Sequence, residues 1–264
     1  MRNPWGAMRR ISEVPFRGAV RSKRFLVLVW YPLALSIVAA GLIASVHFFP
    51  GPFDWRYRVV SSLTSPVDNP GGNTYFCAAL SLAFALLLPL PAYFRARLAP
   101  GSPRLASFSF HALRVGFVFG VLVGAERLFF PQLSGRIHKA HEYLALVAFA
   151  GAFLGVVGFW IAFTQSWRAK RRAPDGAIFA FSLFSAAPMI GAATSQAYLY
   201  FVPNKLGWVS PKWAELGVPL YLSFAVWEWL ASVGVFAYLY LLLVLLPADE
   251  PGHQDELTSP SDLM

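Results

Sequence analysis

The chain carries few ionisable side chains inside its apolar stretches, and chemistry within those stretches would have to use them. His111, Arg114 and Glu228 each lie within a long apolar run. A charge in hydrocarbon costs about 2.5–3.5 kcal/mol on insertion scales, so such groups turn toward a protein interior and a partner. Arg114 and Glu228 have opposite charge, which predicts either a structural ion pair or a charge relay. Glu228 stands between Trp227 and Trp229. Successive helical side chains point about 100° apart, so Glu228 faces a side of its own. A further apolar run places Ser182, Ser185, Met189, Gln196 and Tyr200 on one helical face. Ser185 and Gln196 are candidate partners of Glu228, either as ordinary inter-helix hydrogen bonds or as a ligand path.

Two other groupings have usable spacing. His138 and His141 are three residues apart, just ahead of Glu142. On a helix they share a face and can hold one divalent metal ion with a carboxylate. Asp68, His47 and Glu142 are the candidate further ligands; the plainer reading is two histidines at a membrane interface. The segment Pro50 to Thr74 contains Asp68-Asn69-Pro70-Gly71-Gly72-Asn73. Asx side chains that bond back to the backbone, followed by glycine, mark a turn. Asp68 and Asn69 therefore either line a ligand site or cap the turn that opens the next helix. A single cysteine, Cys77, excludes an internal disulfide and a Cys-x-x-Cys knuckle. The chain has no phosphate-binding glycine loop, nucleophile elbow, His-Glu-x-x-His or dinucleotide fingerprint.

The elements that must position these residues follow from composition. Of 264 residues, 57% are hydrophobic and 13% charged, against about 25% charged in a soluble domain. Lipid can solvate that much apolar surface, whereas water cannot. Six stretches are long enough to cross a bilayer: 25–49, 75–95, 107–128, 142–164, 177–202 and 218–247. The first, Phe25 to Phe49, is too long for the 7–15-residue core of a signal peptide and reads as a permanent span. The expected fold is all-α, an integral membrane six-helix bundle at 25–247, between a basic tail at 1–24 and an acidic tail at 248–264.

Charge sets the expected direction. Seven basic residues precede the first span, three follow the second and four follow the fourth, while seven lie in the loops of the other side. This bias predicts that both tails are cytoplasmic. Because the formal charge of +9 gathers on one side, it reads as membrane orientation and excludes a nucleic-acid partner. Trp30, Tyr93 and Trp167 fall near inner ends, and Tyr200, Trp208 and Trp213 near outer ends, as interfacial aromatics do.

Gly116, Gly120 and Gly124 recur every fourth residue on the third span, and Ala148, Gly151, Gly155 and Gly158 line the fourth. Such surfaces let helix backbones approach closely; they also fit a protein partner or a second copy. His111, Arg114, Val118, Leu122 and Glu126 lie opposite the glycine stripe, so a neighbour is expected on that face too. Pro188 predicts a kink in the fifth span.

The segment Val60-Ser61-Ser62-Leu63, then Pro66, Asp68, Asn69-Pro70 and Phe76, resembles the first loop of DRAM-like six-span membrane proteins and their uncharacterised bacterial relatives. Those carry an Ile-Ser-Asp-x-Gly segment here; this chain has Ser62 and Leu63 instead of the Asp and its neighbour. The resemblance implies a six-span membrane protein and no catalytic residue. Three functions are expected from the residues themselves. The first is binding of a membrane lipid or other amphiphile in an outward-opening polar cavity lined by Glu228, Arg114, Gln196 and Ser185, with Asp68 and Asn69 at its mouth. The second is a metal-assisted, lipid-directed hydrolase or transferase using His138, His141 and Asp68. The third is a small-solute or proton-coupled transporter with Arg114 and Glu228 as its relay.

Overall fold

The computed structural model describes residues 23–130, 140–169, 187–188, 190–195 and 219–246. Their regular elements are all helical, with no strand among the described residues. We label the helices α1 (Lys23–His47), α2 (Ser61–Thr64), α3 (Asn73–Leu87), α4 (Leu90–Leu98), α5 (Pro103–Phe129), α6 (Ala140–Ala169) and α7 (Phe224–Leu245). Residues 187–188 and 190–195 are also helical.

Prolines shape two of these helices. Pro32 has no N–H to donate, and α1 widens just before it into a π-helical turn, Leu26–Trp30, closed by the Tyr31 N–H on the Leu26 carbonyl. A proline that removes an i→i−4 bond makes this looser register cheap. Pro89 and Pro91 interrupt the ladder between α3 and α4, which together form one kinked apolar helix, Asn73–Leu98. The Trp30 indole N–H donates to the Leu86 carbonyl at 2.7 Å in the loosened turn.

Five helices are long and apolar enough to cross a membrane: α1, α3–α4, α5, α6 and α7. Only 22–44% of each apolar window is buried inside the protein. Large apolar side chains such as Leu28, Ile43, Leu146, Leu154 and Val233 point outward, which only a lipid solvent makes favourable. The chain is thus an integral, polytopic membrane protein.

From α1 to α6, successive long helices pack antiparallel. Gly41 lies against Ala79, and Gly124 against Cys77 and Ser81. The tightest pairing is α5 with α6: a Cβ added to Gly116 would lie 2.5 Å from the Ala152 nitrogen, and one on Gly151 would lie 2.6 Å from the Gly116 nitrogen. The expected glycine stripes are therefore the α5–α6 and α5–α3 contacts. Tyr31, Leu113, Phe94, Phe117 and Phe159 fill the core beside them.

Helix α7 closes back on α1, also antiparallel. The Tyr31 hydroxyl donates to the Phe236 carbonyl. Lys23 Nζ donates to the carbonyls of Val244 and Leu246, capping a helix C-terminus whose last carbonyls have no intrahelical donor. The start of α1 and the end of α7 thus share one end of the bundle, here called the far end. The 50–72 loop lies over the other, the loop end. Helix α6 finishes at the far end, where the Ser102 hydroxyl of the α4–α5 turn bonds Gln165, whereas α7 begins at the loop end.

Candidate functional site

The polar groups of the loop end fall into two clusters, both organised by the 50–72 loop. The first ties the loop to α7. Ser223 Oγ donates to the Arg56 carbonyl at 2.6 Å, and Trp229 Nε1 donates to the Arg58 carbonyl at 2.9 Å. The Val60 N–H donates to Glu228 Oε2 at 2.8 Å. Alternate loop residues, 56, 58 and 60, are thereby fastened to the first turns of α7. Phe53 packs edge-on against Trp229 with ring centroids 6.0 Å apart, and Val59 is buried against Ala225.

Glu228 is 7% exposed, as an intramembrane carboxylate with a partner should be, but its partner is the loop backbone. The structure does not bring Glu228 and Arg114 together. Arg114 is exposed, and its guanidinium carbon lies 5.8 Å from the centre of the Phe110 ring, one turn along the same helix. The expectation that a neighbouring helix packs on its face fails for His111, Arg114, Val118 and Leu122, all exposed. The glycine stripe engages α3 and α6 on the other side of α5. Ser185 and Gln196 lie outside the described residues. Of the helix that carries them, Gly191 is described, packed against Trp227 of α7.

The second cluster lies where α5 ends and α6 begins. Glu126 Oε2 is 3.3 Å from His141 Nδ1 and 3.3 Å from Arg127 Nε. Arg127 Nε–H is 3.2 Å from His141 Nδ1. His141 Nε2 is 3.4 Å from the Thr64 hydroxyl of α2. The Thr64 hydroxyl donates to the Ser61 carbonyl at 2.9 Å, so its oxygen is left to accept. The consistent tautomer carries the proton on Nε2, donates to Thr64 and accepts from Arg127 at Nδ1. If the proton moves to Nδ1, it faces Glu126 instead. The arrangement is a buried polar network that joins α2, α5 and α6. It does not make a nucleophile: the Thr64 hydroxyl is spent on Ser61, and Thr64, His141 and Glu126 are each under 7% exposed.

The metal set of the sequence reading does not assemble among the described residues, where no group of three metal-binding side chains occurs. His138 lies outside them. His141 is committed to Glu126, Arg127 and Thr64. Asp68 is exposed, and its N–H takes the Ser65 hydroxyl at 3.2 Å, so it is a turn residue. Asn69 is fully buried; its Nδ2 donates to the carbonyl and hydroxyl of Ser45 at 3.0 and 2.8 Å and to the Leu63 carbonyl at 3.3 Å. Asn69 thus pins the loop to the end of α1 and carries no ligand-facing donor. At the loop tip Asp54 accepts from Arg56 Nε and Nη2 at 2.8 and 2.9 Å, a bond that holds its carboxyl below the usual carboxylate range.

Residues that the sequence reading passed over carry the second cluster: Arg127, Thr64 and, as metal or proton partner, Glu126. Glu126-Arg127 at the end of one span, with His141 opening the next, was a visible signal of it.

A third polar feature faces lipid. The kink between α3 and α4 opens a groove of about 290 Å³ against α5, lined by Leu88, Pro89, Ala92, Phe110, Arg114 and Val118.

Helical architecture, lipid-facing apolar surface and buried interhelical polar clusters define the class: an integral membrane protein of the all-α kind. No protein-family model, curated protein or solved structure matches the chain.

Proposed function

We propose that the protein is a six-span, non-catalytic membrane protein that binds an amphiphile, with the α3–α4 kink and α5 forming the groove that receives it. One observation carries this reading. Arg114, about 16 Å along a helix of about 40 Å, is a cation exposed at hydrocarbon depth beside that groove, and among the described residues it has no carboxylate partner. A permanent charge in that position is costly unless something amphiphilic meets it. The outward-opening cavity anticipated around Glu228 is a weaker candidate, because the Val60 N–H already occupies that carboxylate.

A sixth span is supported by parity. Helix α6 ends at the far end and α7 starts at the loop end, and one crossing between them would join the two. The helical residues 187–188 and 190–195, with Gly191 against α7, fit that crossing. The two-to-one bias of basic residues toward the far end supports a cytoplasmic position for that end and for both tails. Six spans also agree with the proposed kinship to DRAM-like proteins. The metal-assisted alternative rests on His138 and gains nothing from the partners of His141.

Photo-crosslinking with a bilayer-resident lipid probe tests the binding reading. Peptides containing Leu88–Ala92 and Phe110–Val118 should carry the label, and Arg114→Ala should remove most of it. Labelling spread evenly around the bundle would overturn the reading. Single cysteines at 168 and 212, in a Cys77→Ser background, test the topology: reagents should reach them from opposite sides of the membrane.

A further inference from the structure

A second cation stands at Phe110, one of the residues that line the groove. Arg95, near the far end of α4, places its guanidinium carbon 5.2 Å from the centre of the same Phe110 ring that Arg114 approaches at 5.8 Å. The two arginines come from different helices and from different depths. Arg95 is three residues from the end of α4 at Leu98, whereas Arg114 reaches back from deeper in the bundle, toward the N-terminal end of α5, as helical side chains lean. Both are exposed, and so is His111, whose ring meets Phe110 edge-on at 4.8 Å. Among the described residues neither guanidinium has a carboxylate partner. Stacking on an aromatic face uses the flat side of a guanidinium and leaves its in-plane N–H fork to other acceptors. That fork matches phosphate oxygens.

Resting on the amphiphile reading above, we infer that the occupant is a phospholipid of net negative charge from the far-end leaflet, its phosphate held by Arg95 and Arg114 beside Phe110. The charges of the site favour a headgroup of net negative charge, whose phosphate has no cation of its own to compete with the two arginines. Two like charges approach one ring, and an anion accepting from both forks relieves their repulsion. The apolar wall continues from Arg114 along Val118 on α5 and Leu88 and Pro89 on the kinked helix, the direction an acyl chain takes from a headgroup toward the bilayer middle. The proline kink, which breaks the backbone ladder of α3–α4, is what makes room for it. Snorkelling alone does not explain the pairing, since two arginines seeking only water would diverge toward the headgroups.

The test uses the full chain in lipid nanodiscs with two photoactivatable lipids, phosphatidylglycerol and phosphatidylcholine, carrying the same reactive acyl chain. The anionic probe should label the Phe110–Val118 peptide about tenfold more than the zwitterionic one, and Arg95→Gln or Arg114→Gln should bring the two to equal yield. Phe110→Leu, which removes the shared ring, should weaken the preference without removing either charge. Cys77, fully buried, reports folding: it must stay unreactive to maleimide in every variant scored. Equal labelling by both probes in the unaltered protein overturns the assignment of a net-negative lipid while leaving amphiphile binding intact. Absence of groove labelling by either probe overturns amphiphile binding itself. A preference that survives both arginine substitutions overturns the role of these two residues.

Discussion

Replacing Glu228 by Leu should release the 50–72 loop while leaving the helix bundle folded. The carboxylate accepts the Val60 N–H at 2.8 Å and is almost fully buried. Leu removes this hydrogen bond and leaves a half-buried backbone donor without a partner. Either loss is worth about 1–3 kcal/mol, which raises the population of the detached loop roughly 5- to 150-fold. Gln keeps a carbonyl oxygen in place to accept from the Val60 N–H, so a loss of about 1 kcal/mol or less, roughly fivefold at most, is expected. Arg56 and Arg58 make the loop its own reporter, because trypsin cleaves after both. When reclosing is fast, cleavage follows the population of the open form. Proteolysis of the intact protein in nanodiscs should therefore run in the order Leu, then Gln, then unaltered. Ser223→Ala and Trp229→Phe remove the neighbouring donations to the Arg56 and Arg58 carbonyls and should each accelerate cleavage about fivefold, or about 1 kcal/mol. The effects should not add, since all three bonds hold one loop. Cleavage of Glu228→Leu at the unaltered rate, with Cys77 still unreactive, would falsify the assignment of Glu228 as the loop's anchor.

Four further outcomes are expected. His141→Leu takes a partner from buried Glu126 and Thr64 and should cost about 1–3 kcal/mol, read as earlier Cys77 exposure during thermal unfolding. Gly116→Leu drives a side chain into the α6 backbone at Gly151 and Ala152 and should cost at least the 1–3 kcal/mol typical of overpacking; Ser107→Leu, a change of similar size away from the stripe, is the control, and equal melting of the two variants would count against close α5–α6 packing. Lys23→Met leaves the terminal carbonyls of α7 without their donor and should speed hydrogen exchange in the last turn of α7 alone. Asp54→Asn should leave the trypsin rate within twofold of the unaltered protein, because its bond with Arg56 sits in solvent, where exposed ion pairs contribute little; a larger change would show that the loop tip, and not the Glu228 anchor, controls release.

What the sequence determined by itself was set by solvent and by local geometry. Long apolar runs need lipid, so helices at five of the six expected spans appear with little change, the kinked pair Pro89 and Pro91 merely extending the second to Leu98. Glycine every fourth residue dictates a surface on which only a close helix fits, and α5 meets α3 and α6 there. The Asp68–Gly72 run was readable as a turn because Asx and glycine chemistry acts over a few residues. Partner choice was a different matter. Glu228 was legible as a buried carboxylate in need of a donor, yet the donor is a backbone N–H at Val60, 168 residues away. Every residue but proline has that group, so no side-chain pattern announces it. Arg114 was legible as a costly charge, and the rule that such charges turn inward pointed it at Glu228. Tertiary packing decided otherwise: the glycine face of α5 takes α3 and α6, and the face bearing Arg114 is exposed beside the α3–α4 groove, where no carboxylate among the described residues meets it. His141 likewise took Glu126, from the end of the preceding helix, in place of Asp68, because antiparallel packing of α5 on α6 brings those two helix ends together and the turn at Asp68 faces solvent.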